Sequence, residues 1–126
     1  DGTHIWVSDS ASNSVTEINP AGGSLDRIVS GSSYLFTDPS PVTVSVSPGR
    51  TLIYVASPPG SSPMVTAFSP SSGPADWAMC NTNGPYEFNN PQALLVTGGS
   101  LWVANTGGNS LTEMYATTGA LIRRIS

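Results

Sequence analysis

Apolar residues come along this chain in short runs, and the runs recur. Gln92-Ala93-Leu94-Leu95-Val96 ends in a Thr97-Gly98-Gly99 turn. Leu101-Trp102-Val103-Ala104 follows and is closed by Asn105-Thr106-Gly107-Gly108-Asn109. Leu111-Thr112-Glu113-Met114-Tyr115 alternates apolar and polar positions, Thr117-Thr118-Gly119 turns the chain, and Leu121-Ile122-Arg123-Arg124-Ile125 is a fourth run. Period-two runs separated by Gly and Asn clusters read as strands joined by hairpins, because successive strand side chains point to opposite faces. The first two runs have almost no polar face, so both their faces are expected to be buried. The outer two mix polar and apolar positions. One unit is therefore a four-stranded antiparallel meander with an apolar inner pair and a wetter outer pair.

The same pattern occurs three times. His4-Ile5-Trp6-Val7-Ser8-Asp9 matches Ser100-Leu101-Trp102-Val103-Ala104-Asn105 at an offset of 96, and Leu52-Ile53-Tyr54-Val55-Ala56-Ser57 lies midway at 48. Residues 1–30 align with 97–126 without a gap and agree at eleven of thirty positions. The middle copy fits after a two-residue insertion within 57–63. A 48-residue period is the signature of a repeat architecture. Eleven strands are expected in all: three in 1–30, four in 31–80 and four in 81–126. Sheets with apolar inner strands bury both faces by stacking radially, as propeller blades do. The predicted fold is all-β, a β-propeller segment of four-stranded antiparallel blades. It amounts to about two and three-quarter blades in one incomplete domain. Propellers close with about four to eight blades, so the remaining blades of the same protein, or further copies of the chain, are expected as partners. The first unit lacks its inner strand, and a Pro-led apolar run before residue 1 or a second chain is expected along that edge.

These motifs resemble a known family. Val103-Ala104-Asn105-Thr106-Gly107-Gly108-Asn109-Ser110-Leu111 is similar to the signature of NHL and related β-propeller repeats. Gly31, Phe36 and Pro39, and again Gly84, Phe88 and Pro91, match the Gly, Phe and Pro that follow the family's last strand. The resemblance covers nearly the whole chain. Two departures stand out: the usual Asp closing the second strand is kept only as Asp9, with Ser57 and Asn105 as its counterparts, and the turn at 58–63 is enlarged. The resemblance implies a propeller fold. It extends to streptogramin lyases and gluconolactonase-like hydrolases, whose metal-dependent sites use His with acidic or amide side chains, and to the sensor propellers of membrane kinases.

Composition narrows the choice. Ser, Thr, Gly, Pro and Asn make up about half of the 126 residues, while only 10% are charged. Hydrophobic residues reach 38%, enough for a core. The net charge of −4, with four Arg and no Lys, offers no basic surface to a phosphate backbone and disfavours nucleic-acid binding. No apolar run approaches membrane-spanning length. A single cysteine, Cys80, excludes an internal disulfide and a cysteine-based zinc site. Low charge with many hydroxyls fits an extracellular or cell-envelope setting.

The candidate chemistry is sparse. The one histidine, His4, and Asp9 stand at opposite ends of one strand, about 16 Å apart at 3.3 Å per residue, too far for a catalytic relay. Asp9 and Asn13 flank a turn, as do Asn105 and Asn109, and Asx side chains hold such turns by bonding their own backbone. Glu17 and Glu113 are equivalent and are expected to face outward. Without lysine there is neither a phosphate-binding loop nor a Schiff base. Trp6, Tyr54 and Trp102 share one position and are expected in the core, with Val7, Val55, Val103 and Trp102 nearly fully buried. Tyr34, Phe36, Tyr86 and Phe88 lie in the connections between units. One aromatic of each pair is expected to plug a seam, and the other is a candidate ligand-facing residue. No catalytic, cofactor or metal site is expected. The reading is a non-enzymatic scaffold or interaction module that binds protein, glycan or its own kind. The alternative is a segment of a propeller enzyme whose active site lies largely in other blades.

Overall fold

A computed structural model describes residues 2–57, 63–71, 73–80 and 85–126. Most of the enlarged turn (58–62) and Gly84 lie outside the described residues. The described chain is all-β, in three antiparallel sheets. The first holds β1 (Ile5–Asp9), β2 (Ser14–Ile18) and β3 (Leu25–Ser30). The second holds β4 (Val42–Ser47), β5 (Arg50–Ser57), β6 (Met64–Phe68) and β7 (Ala75–Cys80). The third holds β8 (Pro91–Thr97), β9 (Ser100–Asn105), β10 (Ser110–Tyr115) and β11 (Leu121–Ile125). Within each sheet every strand pairs only with its neighbours in the chain.

Corresponding rows cross the three sheets. Trp6, Glu17 and Arg27 face one another across β1, β2 and β3, and Trp102, Glu113 and Arg123 do so across β9, β10 and β11. The second sheet fills the corresponding row with Tyr54, Ala67 and Trp77. A register shift falls at Glu17/Ile18, Ala67/Phe68 and Glu113/Met114. Such a bulge bends the strand and strengthens its twist.

The sheets stack face to face with the second in the middle. Trp6, Val15, Val29 and Phe36 pack against Ile53, Val55 and Phe68 to form one core. On the other face of the second sheet, Tyr54, Ala56, Val65 and Ala67 meet Tyr86, Phe88, Leu101, Val103 and Met114. Ile53, Tyr54, Val55 and Ala56 are consecutive and all fully buried, which requires cover on both faces. Two close approaches lock the seam between the second and third sheets. Tyr54 Oη donates to the Ala116 carbonyl at 3.1 Å. Gly119, at φ 71°, lies under the Trp77 ring, where a Cβ would come within 2.9 Å of it.

Three expectations need correction. Val7 is 43% exposed and Trp102 only half-buried, whereas Val55 and Val103 are fully buried. The Val7 face and the Trp102 face are the outer faces of the two end sheets, and no described sheet covers them. Glu17 and Glu113 are not solvent-exposed, at 5% and 9%: Glu17 faces the first seam, and Glu113, on the outer Trp102 face, is covered within its own row. Each lies in the row of a tryptophan and an arginine, and Arg27 and Arg123 neutralise them. Phe36, Tyr86 and Phe88 are buried in the two cores and Tyr34 is half-buried, so in the second pair both aromatics, not one, plug a seam.

Candidate functional site

The connections between sheets are built by one device used twice. In Tyr34-Leu35-Phe36 and Tyr86-Glu87-Phe88 the central residue sits at positive φ, 59° for Leu35 and 52° for Glu87. Two residues after each phenylalanine, Asp38 (51°) and Asn90 (50°) do the same. Non-glycine residues seldom adopt this conformation. Here it brings both aromatics of each pair to one side. Tyr34 and Phe36 stack at 5.6 Å, Tyr86 and Phe88 at 5.3 Å. Tyr34 and Phe36 both meet Phe68 edge-on. Thr112 Oγ1 donates to the Tyr86 carbonyl at 2.9 Å, and Tyr86 Oη reaches Met79 Sδ at 3.3 Å.

The residues that close β5 and β9 hold these connections in place. Ser57 Oγ accepts from the Thr37 amide and Asn105 Oδ1 from the Asn89 amide, each at 3.3 Å. Asn105 is 2% exposed and also donates to Thr112 Oγ1 at 3.1 Å. Ser57 and Asn105 thus offer the same acceptor to the same point of the loop. Their counterpart Asp9, exposed at the end of β1, instead accepts from Ser12 in its own turn at 3.4 Å. Asn13 and Asn109 occupy the left-handed positions of their turns, at φ 52° and 48°. Asn13 Oδ1 also accepts from the Asp38 amide at 2.7 Å.

A polar cleft of about 550 Å³ lies between the first two sheets, lined by Thr3, His4, Glu17, Asp26, Arg27 and Arg50 among others. Sequence separation hid this meeting. His4 Nδ1 lies 3.7 Å from Glu17 Oε1 and its Nε2 lies 3.5 Å from Asp26 Oδ2. Glu17 is already committed, because Arg27 Nε donates to its Oε2 at 2.5 Å. Arg27 also stacks on Trp6, 5.9 Å from the ring centroid, and donates through Nη1 to the Pro70 carbonyl across the seam. Arg50 pairs with Asp76 at 2.8 Å. No described group of three or more His, Cys, Asp or Glu side chains has the arrangement to hold a metal ion. His4 and Asp9 stand at opposite ends of β1, and Cys80 is buried on β7. The ion pairs of the cleft each lie within one sheet, Glu17 with Arg27 in the first and Arg50 with Asp76 in the second, and the Arg27 bond to the Pro70 carbonyl crosses the seam; among the described residues they form no aligned nucleophile and base.

The other conspicuous surfaces are apolar. On the third sheet, Ala93, Leu95, Trp102, Ala104 and Leu111 line a concavity of about 280 Å³. Leu95 is 59% exposed and Ile125, on the same face, 46%. On the first sheet Ile5, Val7, Leu25 and Ile28 are exposed together. The register places Ile5, Val7 and Ile28 in adjacent rows of that one face. Among the described residues no helix is long and apolar enough to cross a membrane.

No family model matches the chain, and no curated protein matches it with significance.

Proposed function

We propose that the three sheets are successive blades of a β-propeller segment of the NHL-like kind, and that the segment is a non-enzymatic scaffold and interaction module. The observation that carries the reading is the use of side chains. The convergent polar groups (Glu17 with Arg27, Glu113 with Arg123, Asn105 with Thr112) are engaged in holding strands, sheets and loops, while the large unengaged surfaces are apolar. Contiguous exposed apolar patches mark interaction sites. The recurrence of the Tyr-x-Phe plug and of the row through Trp6, Tyr54 and Trp102 supports the blade reading. Low charge, absence of lysine and abundant hydroxyls support an extracellular or cell-envelope setting. The test is turnover. The purified chain, with and without Mg²⁺ or Ca²⁺, is expected to hydrolyse no lactone and open no streptogramin-type ring above the buffer rate. A metal-dependent rate abolished by Glu17→Gln would overturn the reading.

A further inference from the structure

We propose that Met79 is a reversible oxidation site whose sulfoxide is bound by Tyr86, so that the contact between the second and third sheets tightens when the chain meets a hydroperoxide. Both sides of that seam are described, and the site stands whether or not the sheets are blades.

The chain has three methionines, in different settings. Met114 is fully buried in the core between the second and third sheets. Met64, at the start of β6, and Met79, near the end of β7, are half-buried. Met64 Sδ accepts from Thr66 Oγ1 at 3.7 Å, two residues along its own strand, so that contact joins no two elements. Met79 Sδ accepts instead from Tyr86 Oη at 3.3 Å. Its methyl carbon lies against Gly119, where a Cβ would come to 3.0 Å from it. Tyr86 belongs to the connection into the third sheet, and Gly119 to the turn between β10 and β11 of that sheet. One flexible side chain of the second sheet thus meets the third and its connection at two points.

The Tyr86 hydroxyl is poorly served as it stands. Tyr86 is 6% exposed, and its ring is held by stacking on Phe88 at 5.3 Å. Among the described residues the only acceptor for its hydroxyl is the thioether. Thioether sulfur is a weak acceptor, and a buried hydroxyl without a good partner costs free energy. A sulfoxide oxygen is a far stronger acceptor. At Met79 it would sit on a side chain with three rotatable bonds, beside a donor already aimed at the sulfur. Methionine oxidation ordinarily disrupts a core, because it puts a polar group among apolar ones. Here the polar group finds its partner in place.

The step is an oxygen-atom transfer. A sulfur lone pair attacks the terminal oxygen of the hydroperoxide, and the S–O bond forms as the O–O bond breaks. The thioether gives up two electrons. The proton of the transferred oxygen passes to the departing one, which leaves as water from hydrogen peroxide or as an alcohol from an alkyl hydroperoxide. Methionine sulfoxide reductases return the thioether.

Peptide mass mapping after brief treatment of the purified chain with hydrogen peroxide tests the site. Met79 is expected to gain one oxygen at least about tenfold faster than the buried Met114. Urea unfolding then measures the effect in the wild type and in Tyr86→Phe, which keeps the ring and loses the donor. Oxidation should move the folded-to-unfolded ratio about fivefold further toward the fold in the wild type than in Tyr86→Phe, the worth of one hydrogen bond. Met64 oxidises in both chains, so its effect cancels. Reductase treatment should restore the original midpoint. If Tyr86→Phe does not fold, the wild type is compared with Met79→Leu, and oxidation must favour the fold more in the wild type. A Met79 that oxidises no faster than Met114, an equal response with and without the Tyr86 hydroxyl, an equal response in the wild type and Met79→Leu, or a midpoint that reductase does not restore would each overturn the proposal.

Discussion

The two seams solve one packing problem with different chemistry. Between the first and second sheets, the row of Trp6, Glu17 and Arg27 carries a nearly buried carboxylate and an arginine stacked on an indole. Between the second and third, the row of Tyr54, Ala67 and Trp77 is apolar except for a phenol and an indole N–H. A buried ion pair repays its desolvation only with good geometry and further hydrogen bonds. Replacing it by packed apolar groups is often neutral or stabilising, whereas removing one partner is costly. The charged seam therefore owes less of its stability to its ions than a list of contacts would suggest. What it gains is direction, since Arg27 reaches across to one carbonyl, that of Pro70. Both seams bury an indole Nε1, of Trp6 and of Trp77, without a described acceptor, a cost of about 1–3 kcal/mol for each such group.

Substitutions can break this comparison at several depths. The largest effect belongs to the apolar seam. Val103→Asp puts a carboxylate where exposure is zero and should cost more than ~3 kcal/mol by urea denaturation. Val7→Asp, at the matching position but 43% exposed, should cost under ~1 kcal/mol in dilute solution. Equal costs would mean that the end sheet is not an end.

Next comes the ion pair. Arg27→Met strands Glu17, whose side chain is 6% exposed, and should cost about 2–3 kcal/mol. Arg123→Met should cost about 1 kcal/mol, because Glu113 keeps the Ser100 hydroxyl at 2.8 Å and sits on an open face. The ranking is checked by shifts in urea midpoint at constant m. Transplanting the second sheet's row into the first, as Glu17→Ala with Arg27→Trp, should recover most of the loss and end within ~1 kcal/mol of wild type. A double variant as unstable as Arg27→Met alone would show that the charge is indispensable.

The smallest effect is at Tyr54. Burial raises the phenol above its ordinary value of 10.0, with Asp76 pushing the same way and a hydrogen bond with Ser45 and the Arg50 charge opposing. The neutral phenol is favoured in the fold, so its contribution is complete below pH 10. As pH rises above 10 the unfolded chain ionises first, and stability falls until the folded phenol ionises too. Tyr54→Phe should cost about 1 kcal/mol near neutrality through loss of the bond to Ala116 and should flatten the alkaline limb of a stability-against-pH curve.

Much of the fold was legible in the residues. All eleven strands lie where period two and the Gly/Asn turns put them, within a residue or two at their ends. Burial was less legible, for a reason visible at Trp102 and Val103. They are adjacent in β9 and point to opposite faces, so an apolar run alone does not tell how many faces are covered. Glu17 was misread as outward because its charge outweighed its phase. Alternation along β2 puts it on the same face as Val15, which is fully buried. The cleft at His4 could not be read at all, since it joins residues from two strands of one sheet with Arg50 of another. The signal for the connecting loops was present in the paired Tyr-x-Phe motifs. Their stacking depends on left-handed backbone at Leu35 and Glu87, neither of which favours it by type.

The strictly sequential order of strands has a consequence for how the chain acquires its structure. Every hairpin closes over a few residues, and no strand waits for a distant one. Loop-closure entropy is then small within each sheet, and topologies rich in local contacts fold fast. The order of events is set by synthesis: the first sheet can form before the second has left the ribosome, and the second before the third. Between those events each new sheet waits with one apolar face bare. The slow and vulnerable step is therefore the docking of finished sheets rather than the pairing of strands. The interval between sheets, rather than the total length, sets how long the nascent chain is exposed to aggregation.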